Sequence, residues 1–392
     1  MTPYSVIFPL AVFFTTLLAS HFLVKVFGVP SDIHRQSPLD GLRGVLAFGV
    51  FLCHAGVWHN YINTGAFETP GIGPFNQLGK SGVYMFFMIT GFLFMSKLIN
   101  ERDKGVDWTR LFVSRALRLT PLYLTVMILM IFLVLIESNF QLQVTWGGFL
   151  TGIARWLTFT VFGEPVLNGY DQTPIITSHV QWTLVYEWLF YLSLPLLALV
   201  LKIRVPLLYL VASVALVSLF IVNMQGLFFP VAFLAGILTA MIFRFGRIKL
   251  LLAHPAFSVV AITLVFWQAW HYSGHLYQQP TRIPALCLSI AFLIIACGNN
   301  LFGFLSSKAT RYLGEISYGI YLLHGVILFC VFKYAVGFEQ LKTLSATDYW
   351  TIIYVVAMLI LMAATFTYRA IEAPAMRQVS AVRSRLKTVF GI

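Results

Sequence analysis

Long apolar runs separated by short polar breaks dominate the chain, near 5–25, 41–60, 79–99, 119–136, 181–201, 206–222, 227–243, 250–270, 283–298, 314–333 and 349–369. A helix needs about 20 predominantly apolar residues to cross a ~30 Å hydrocarbon layer. The pattern therefore predicts an all-α, polytopic bundle of about eleven transmembrane helices. Residues 145–163 are also apolar but are broken by Gly147, Gly148, Gly152 and Arg155, which suits a helix lying on the membrane surface. No repeat, low-complexity linker or soluble appendage divides the chain.

Composition agrees with this class, since 59% of residues are hydrophobic and 10% charged, against roughly 25% charged in soluble domains. Charge then orients the spans, because cytoplasmic loops collect Lys and Arg. With the first loop inside, 21 of the 26 basic residues fall on the cytoplasmic side, leaving out Lys80, Arg155, Arg282, Lys333 and Lys342. An N-terminus outside and a C-terminus inside a cytoplasmic (inner) membrane is the expected topology. The net charge of +12 thus needs no nucleic-acid partner, and the basic tail 377–392 is free to rest on anionic lipid. Residues 1–24 hold no Lys or Arg, so the first span reads as an anchor and not as a signal peptide. Cys53, Cys287, Cys297 and Cys330 all sit in apolar spans without metal-like spacing and read as small core residues.

Ionisable residues inside the spans are the candidate chemistry, because a charge in hydrocarbon costs several kcal/mol unless it lines a cavity, pairs or reacts. Arg43 and His54 are eleven residues apart in the second span, within about 20° of one helix face and about 16 Å apart along it. Asp40, at the start of that span, suits a helix N-terminus and can hold the guanidinium of Arg43. Glu187 lies about 9 Å below the outer edge of its span and His54 about 10 Å below the same edge. Two titratable groups at one depth make a base and its orienter. Arg115 and Arg118, three apart in the most basic loop and just before Pro121, present planar forks that suit phosphate. Ser317, Tyr321 and His324 recur at helical spacing as a polar stripe. Trp182, Tyr186, Tyr318 and Ser81 complete the candidate contacts for a substrate. The outer segment 137–180, with Glu137, Glu164, Asp171 and His179, suits a hydroxyl-rich ligand, whereas His271 and His275 lack a third ligand and make no metal site.

These residues together resemble membrane-bound acyltransferase family 3, whose members O-acylate polysaccharides, peptidoglycan, lipids or small molecules. Asp40, Gly41, Leu42, Arg43 and Gly44 with His54 are similar to its Arg-x10-His signature, and Arg115 with Arg118 to its arginine pair. Gly82, Phe86, Phe87, Gly91 and Phe92, then Trp182 with Glu187, then Ser317, Tyr318, Tyr321 and His324, then Glu372 with Pro374 follow in the family's order. Tyr84 stands where many members have aspartate, and Thr90 and Thr183 where they have serine. The resemblance implies a ten-helix core over residues 31–376, with residues 1–30 an accessory helix and 377–392 a basic tail. No fused extracellular hydrolase-like domain follows, so transfer is completed here or handed to a separate partner.

It also implies the chemistry, transfer of an acyl group, with acetyl expected, from cytoplasmic acyl-CoA to a hydroxyl outside the membrane. The acceptor is expected to be a cell-surface glycan or glycolipid, the alternative being a lipid or a secreted small molecule. Arg115 and Arg118, with Arg43 deeper, would hold the donor's nucleotide end. His54 would act as general base and Glu187 would orient it; His324, Tyr318 and Tyr321 would position the acceptor or stabilise an oxyanion. No metal is called for. Two other classes compete with an enzyme: a proton-coupled transporter, which calls for inverted repeats with broken helices, and a non-catalytic scaffold, which needs no His–Glu pair.

Overall fold

The computed structural model of the protein describes residues 3–28, 37–71, 75–223, 230–272 and 282–390. His275 of the sequence reading lies outside these. Among the described residues the chain is all-α, with an isolated bridge at Leu167 and Tyr170. Each of the eleven apolar runs carries a helix. Seven have the length and apolarity of a span, namely Ile7–Phe27, Pro38–Thr64, Gln77–Glu101, Trp108–Glu137, Trp182–Val200, Ser317–Val336 and Ala346–Val389. Pro230–Ile242 and Gly246–Leu252 make an eighth if the pair, bent by 110°, is one span. Leu207–Asn223, Ala256–His271 and Arg282–Ala296 are shorter apolar helices. Trp146–Leu157 buries Phe149, Gly152 and Trp156 and leaves Trp146 and Leu150 exposed. At 12 residues, about 18 Å, it is too short to cross a bilayer, in keeping with a surface helix.

The first helix shows why these segments belong in hydrocarbon. Its buried stripe is Val12, Thr16, Ser20 and Val24, while Phe14, Leu18 and Phe22 point outward. In water such an apolar outer face would be an aggregation site; against lipid it is the favourable surface. The Thr16 and Ser20 hydroxyls donate back to Val12 and Thr16 carbonyls at 2.8 Å each, so the buried stripe carries no stranded donor.

Two compact units make up the chain, residues 1–93 with 228–364 and residues 94–227 with 365–392. In the first, the His54 helix (Ser37–Thr64) packs against Lys308–Glu315 and Ser317–Cys330. Glycine sets that crossing: a Cβ on Gly314 would stand 1.9 Å from the Asp40 carbonyl oxygen, and one on Gly41 would stand 1.9 Å from that of Leu305. Gly91 and Gly236 do the same where the Phe75–Glu101 helix meets Pro230–Ile242, with built Cβ atoms 2.4 Å and 2.2 Å from the carbonyl oxygens of Phe233 and Met88. Backbones this close leave no room for a methyl. Gly314→Ala is expected to cost about 2 kcal/mol by overpacking, read as a lower Tm of the detergent-purified protein; an unchanged Tm would mean the crossing opens freely.

In the second unit, Trp108–Glu137 packs against the C-terminal helix Val379–Phe390, and Trp182–Val200 against Leu207–Asn223. Asp107 caps the first of these by accepting the Arg110 N–H at 2.9 Å. The helix therefore starts well before the apolar run at 119–136, and Arg115 and Arg118 stand on it and not in a loop. Pro121 sits inside the helix, and the Thr125 hydroxyl donates to its carbonyl at 2.9 Å.

Asp107 also straps down the C-terminal helix, accepting Arg383 Nε at 2.6 Å with Lys387 Nζ at 3.7 Å. Partial burial pushes the Asp107 carboxyl up, but the Arg110 N–H, Arg383 and Lys387 outweigh it and hold it below the usual carboxylate range. Lys97, Glu101, Lys104 and Arg110 are the other charged groups on this face. A depressed carboxyl contributes its stabilisation above its unfolded value and loses it as pH falls through the folded one. Hydrogen exchange over 379–390, taken relative to the intrinsic amide rate at each pH, is expected to stay flat from neutral pH down to about pH 5 and to rise below about pH 4, the unperturbed carboxylate range. In Asp107→Asn it should already be fast at neutral pH.

Candidate functional site

His54 is half-buried in the first unit, on the middle turns of its helix, with Phe51 and Ala55 beside it fully buried. Its imidazole lies against His324, ring centroids 4.9 Å apart and planes 27° apart, with His54 Nδ1 2.9 Å from His324 Nε2. His324 is 0% exposed and uses its other nitrogen, Nδ1, on the Ile320 carbonyl at 3.1 Å. Phe51 and Tyr321 meet it edge-on, at 6.3 Å and 6.1 Å.

The order of partners fixes the tautomers. A carbonyl oxygen only accepts, so His324 Nδ1 carries a hydrogen and, in the neutral ring, Nε2 is a bare acceptor. His54 Nδ1 must then donate to it, which places the lone pair of neutral His54 on Nε2. A backbone carbonyl thus sets, through one buried imidazole, which nitrogen of the half-buried one is basic. Histidine with one nitrogen tied to an orienting acceptor and the other left basic is the arrangement general-base catalysis uses.

Polar groups in the second unit form a line of their own. Tyr191, four residues after Glu187 and hence on the same helix face, donates its hydroxyl to the Glu187 carboxylate. The Arg115 guanidinium reaches the same hydroxyl, lies 5.3 Å over the Phe94 ring, and donates from Nε to the Ser114 hydroxyl at 3.4 Å. Arg115 is seven residues past the helix start, about 10 Å into it, so the carboxylate–phenol pair holds the cation inside the unit. Sequence reasoning passed over Tyr191; its i+4 spacing from Glu187 was the available signal.

The other candidates fall in four settings. Arg43 and Arg118 are half-buried on their helices, Arg43 on that of His54 and Arg118 one turn beyond Arg115. Ser81 is buried and accepts Gln268 Nε2 at 3.1 Å. Trp182 and Tyr186 form a T-shaped pair at 5.8 Å. Tyr321 is buried against His324 and 6.2 Å from Phe86, and Tyr318 is half-buried on the same helix. In the outer segment Glu164 accepts His179 Nδ1 at 2.9 Å. His271 stacks on Trp267 at 5.2 Å. Among the described residues no three His, Cys, Asp or Glu side chains converge as metal ligands would.

A family model described as an acyltransferase domain matches residues 37–367. The chain is also 26% identical over 388 residues to Nodulation protein 10 of Rhizobium leguminosarum bv. viciae, covering 91% of this chain and 99% of that protein. No solved structure matches at a significant level.

Proposed function

The chain belongs to the acyltransferase family whose model covers residues 37–367, and we propose that as a membrane O-acyltransferase it moves an acetyl group from acyl-CoA to a hydroxyl of a cell-surface glycan or glycolipid. The observation that carries the reading is the Ile320 carbonyl–His324–His54 array, which leaves a basic nitrogen on a half-buried imidazole. We place the protein in the inner membrane with its N-terminus outside and its basic C-terminal tail cytoplasmic, on the positive-inside bias. The catalytic body is 31–376, residues 1–30 being accessory and 377–392 a tail.

His54 Nε2 takes the proton of the acceptor hydroxyl as that oxygen adds to the thioester carbonyl. The C–O bond forms, the tetrahedral centre collapses, the C–S bond breaks, and the imidazolium returns its proton to the leaving thiolate. His324 keeps the His54 ring oriented through both protonation states, because His54 Nδ1 donates to it in each. We give the orienting role to His324, the residue bonded to His54, and assign Glu187 to holding Tyr191 and, through it, Arg115. Arg115, Arg118 and Arg43 provide cationic charge for the donor's phosphates. Tyr318 and Tyr321 suit the acceptor or the developing oxyanion, and Trp182, Tyr186 and Ser81 remain candidate contacts to the acceptor.

Inside-out membrane vesicles from expressing cells, given acetyl-labelled acetyl-CoA, test this. Alkali-labile label is expected in the glycan or glycolipid fraction, above vesicles with empty vector. Label confined to phospholipid or to released small molecules would move the acceptor to the alternative class. No ester label, together with proton-dependent solute uptake, would favour a transporter.

A further inference from the structure

The second unit holds a cavity of about 700 Å³ at the start of the Trp108–Glu137 helix. Lys97, Lys104 and Arg110 line it with Glu101 and Asp107. Arg383 and Lys387 add two cations on Asp107 from the C-terminal helix, so three and two make five cations against two carboxylates. Asp107 is taken up by the strap, and Glu101 lies 3.9 Å from Lys97. The surplus charge calls for an anion of more than one negative group.

Size and lining narrow the ligand. The volume falls in the roughly 300–1,000 Å³ range of small-molecule sites, more than a lone phosphate needs. Met376 and Val379 give an apolar wall for a flat ring, and Ser114 and Ser380 give hydroxyls. Ser114 also accepts from Arg115, which reaches Tyr191 and so Glu187. A polar line therefore leads from the cavity into the unit.

We propose that this cavity seats the phosphate-bearing nucleotide end of the acyl donor, with Lys104 and Arg110 as phosphate ligands and the C-terminal helix, strapped by Asp107 to Arg383, as one wall. The assignment rests on the acyl-CoA reading and goes beyond it, moving the phosphate contacts to Arg110, between one and two turns before Arg115, and to Lys104 in the turn that precedes the helix, and giving the tail a part in binding. Lys104 and Arg110 carried no functional assignment in the sequence, where they read as topology-setting charge.

The test is calorimetric binding of adenosine 3′,5′-bisphosphate to the full-length protein in nanodiscs of zwitterionic lipid. Wild type is expected to bind, and Lys104→Ala with Arg110→Ala to weaken binding at least about tenfold through loss of two charge-assisted contacts. Ser380→Trp, which fills the cavity from the tail, should weaken it similarly, whereas Lys342→Ala, exposed and paired with Glu339, should bind as wild type. Wild-type affinity in both cavity variants would overturn the site, as would loss of binding in phosphatidylglycerol nanodiscs, which would make the cavity a lipid-headgroup site. Failure of the wild type to bind while vesicles still form ester would also overturn the site yet leave the transferase reading standing. Binding that is lost in the cavity variants, from a protein that forms no ester, would uphold the site and sink the transferase reading.

Discussion

His54→Ala should abolish ester formation while the protein still reaches the membrane in wild-type amounts. The imidazole is the proton acceptor in the proposed step, and positioned general bases contribute about 10²–10⁴ in rate, so a loss of about 10³-fold in kcat/KM is expected. Vesicle ester content at matched protein level measures it. Nucleotide affinity at the cavity of the second unit should not move, since His54 is not among the residues that line it. The same substitution in a scaffold would leave function intact, so ester formation equal to wild type would refute the base assignment outright. His54→Gln should be as inactive as the alanine variant, because an amide keeps polar contacts but takes no proton.

Removing His324 should produce the second-largest loss. His324→Leu deletes the acceptor for His54 Nδ1–H and with it the bias toward the tautomer whose Nε2 is basic. Loss of an orienting partner of a functional histidine costs about 10–100-fold in metal sites, and a fall of that order in kcat, with KM little changed, is expected here. His324→Gln, whose amide oxygen can accept the same hydrogen, should recover most of the rate. A purely structural His324 would predict the reverse ordering, since leucine suits a fully buried site better than glutamine. The pH–rate profile adds an independent reading. In the wild type its acidic limb, where the base becomes protonated, belongs to the paired imidazoles as one unit; in His324→Leu it should shift, whereas a structural residue would leave its shape alone.

The second result could not be foreseen from spacing alone, and the reason is specific. Matching His54 with Glu187 used depth, which each helix reports for itself, but depth says nothing of azimuth. The partner that lies on His54 Nδ1, His324, is 270 positions away along the chain, and only the packing of the His54 helix on Ser317–Cys330 turns both rings toward each other. Its membership of a polar stripe with Tyr321 was legible; that the stripe faces His54 was not. The arginines show the opposite case. Arg115 looked like loop charge because apolarity begins at 119, yet the Asp107 cap lengthens the helix and carries Arg115 inside the unit, where Tyr191 meets it.

What the amino-acid order determined by itself is everything that rests on local properties. Apolar length sets the number and position of the helices, since about 20 residues without charge have one low-energy home. Gly147, Gly148 and Arg155 mark the short helix Trp146–Leu157, and the eleven-residue interval keeps Arg43 and His54 on one helix face. Tertiary structure decided what depends on two helices at once. It brought Gly314 onto Asp40 and Gly91 onto Phe233 with no room for a methyl, tied His54 to His324, joined Glu187 to Arg115 through Tyr191, and closed a cavity with the C-terminal helix. A hydrogen bond or a cavity wall needs a distance and a direction between segments, and one-dimensional periodicity carries the face of each helix but not the face it meets.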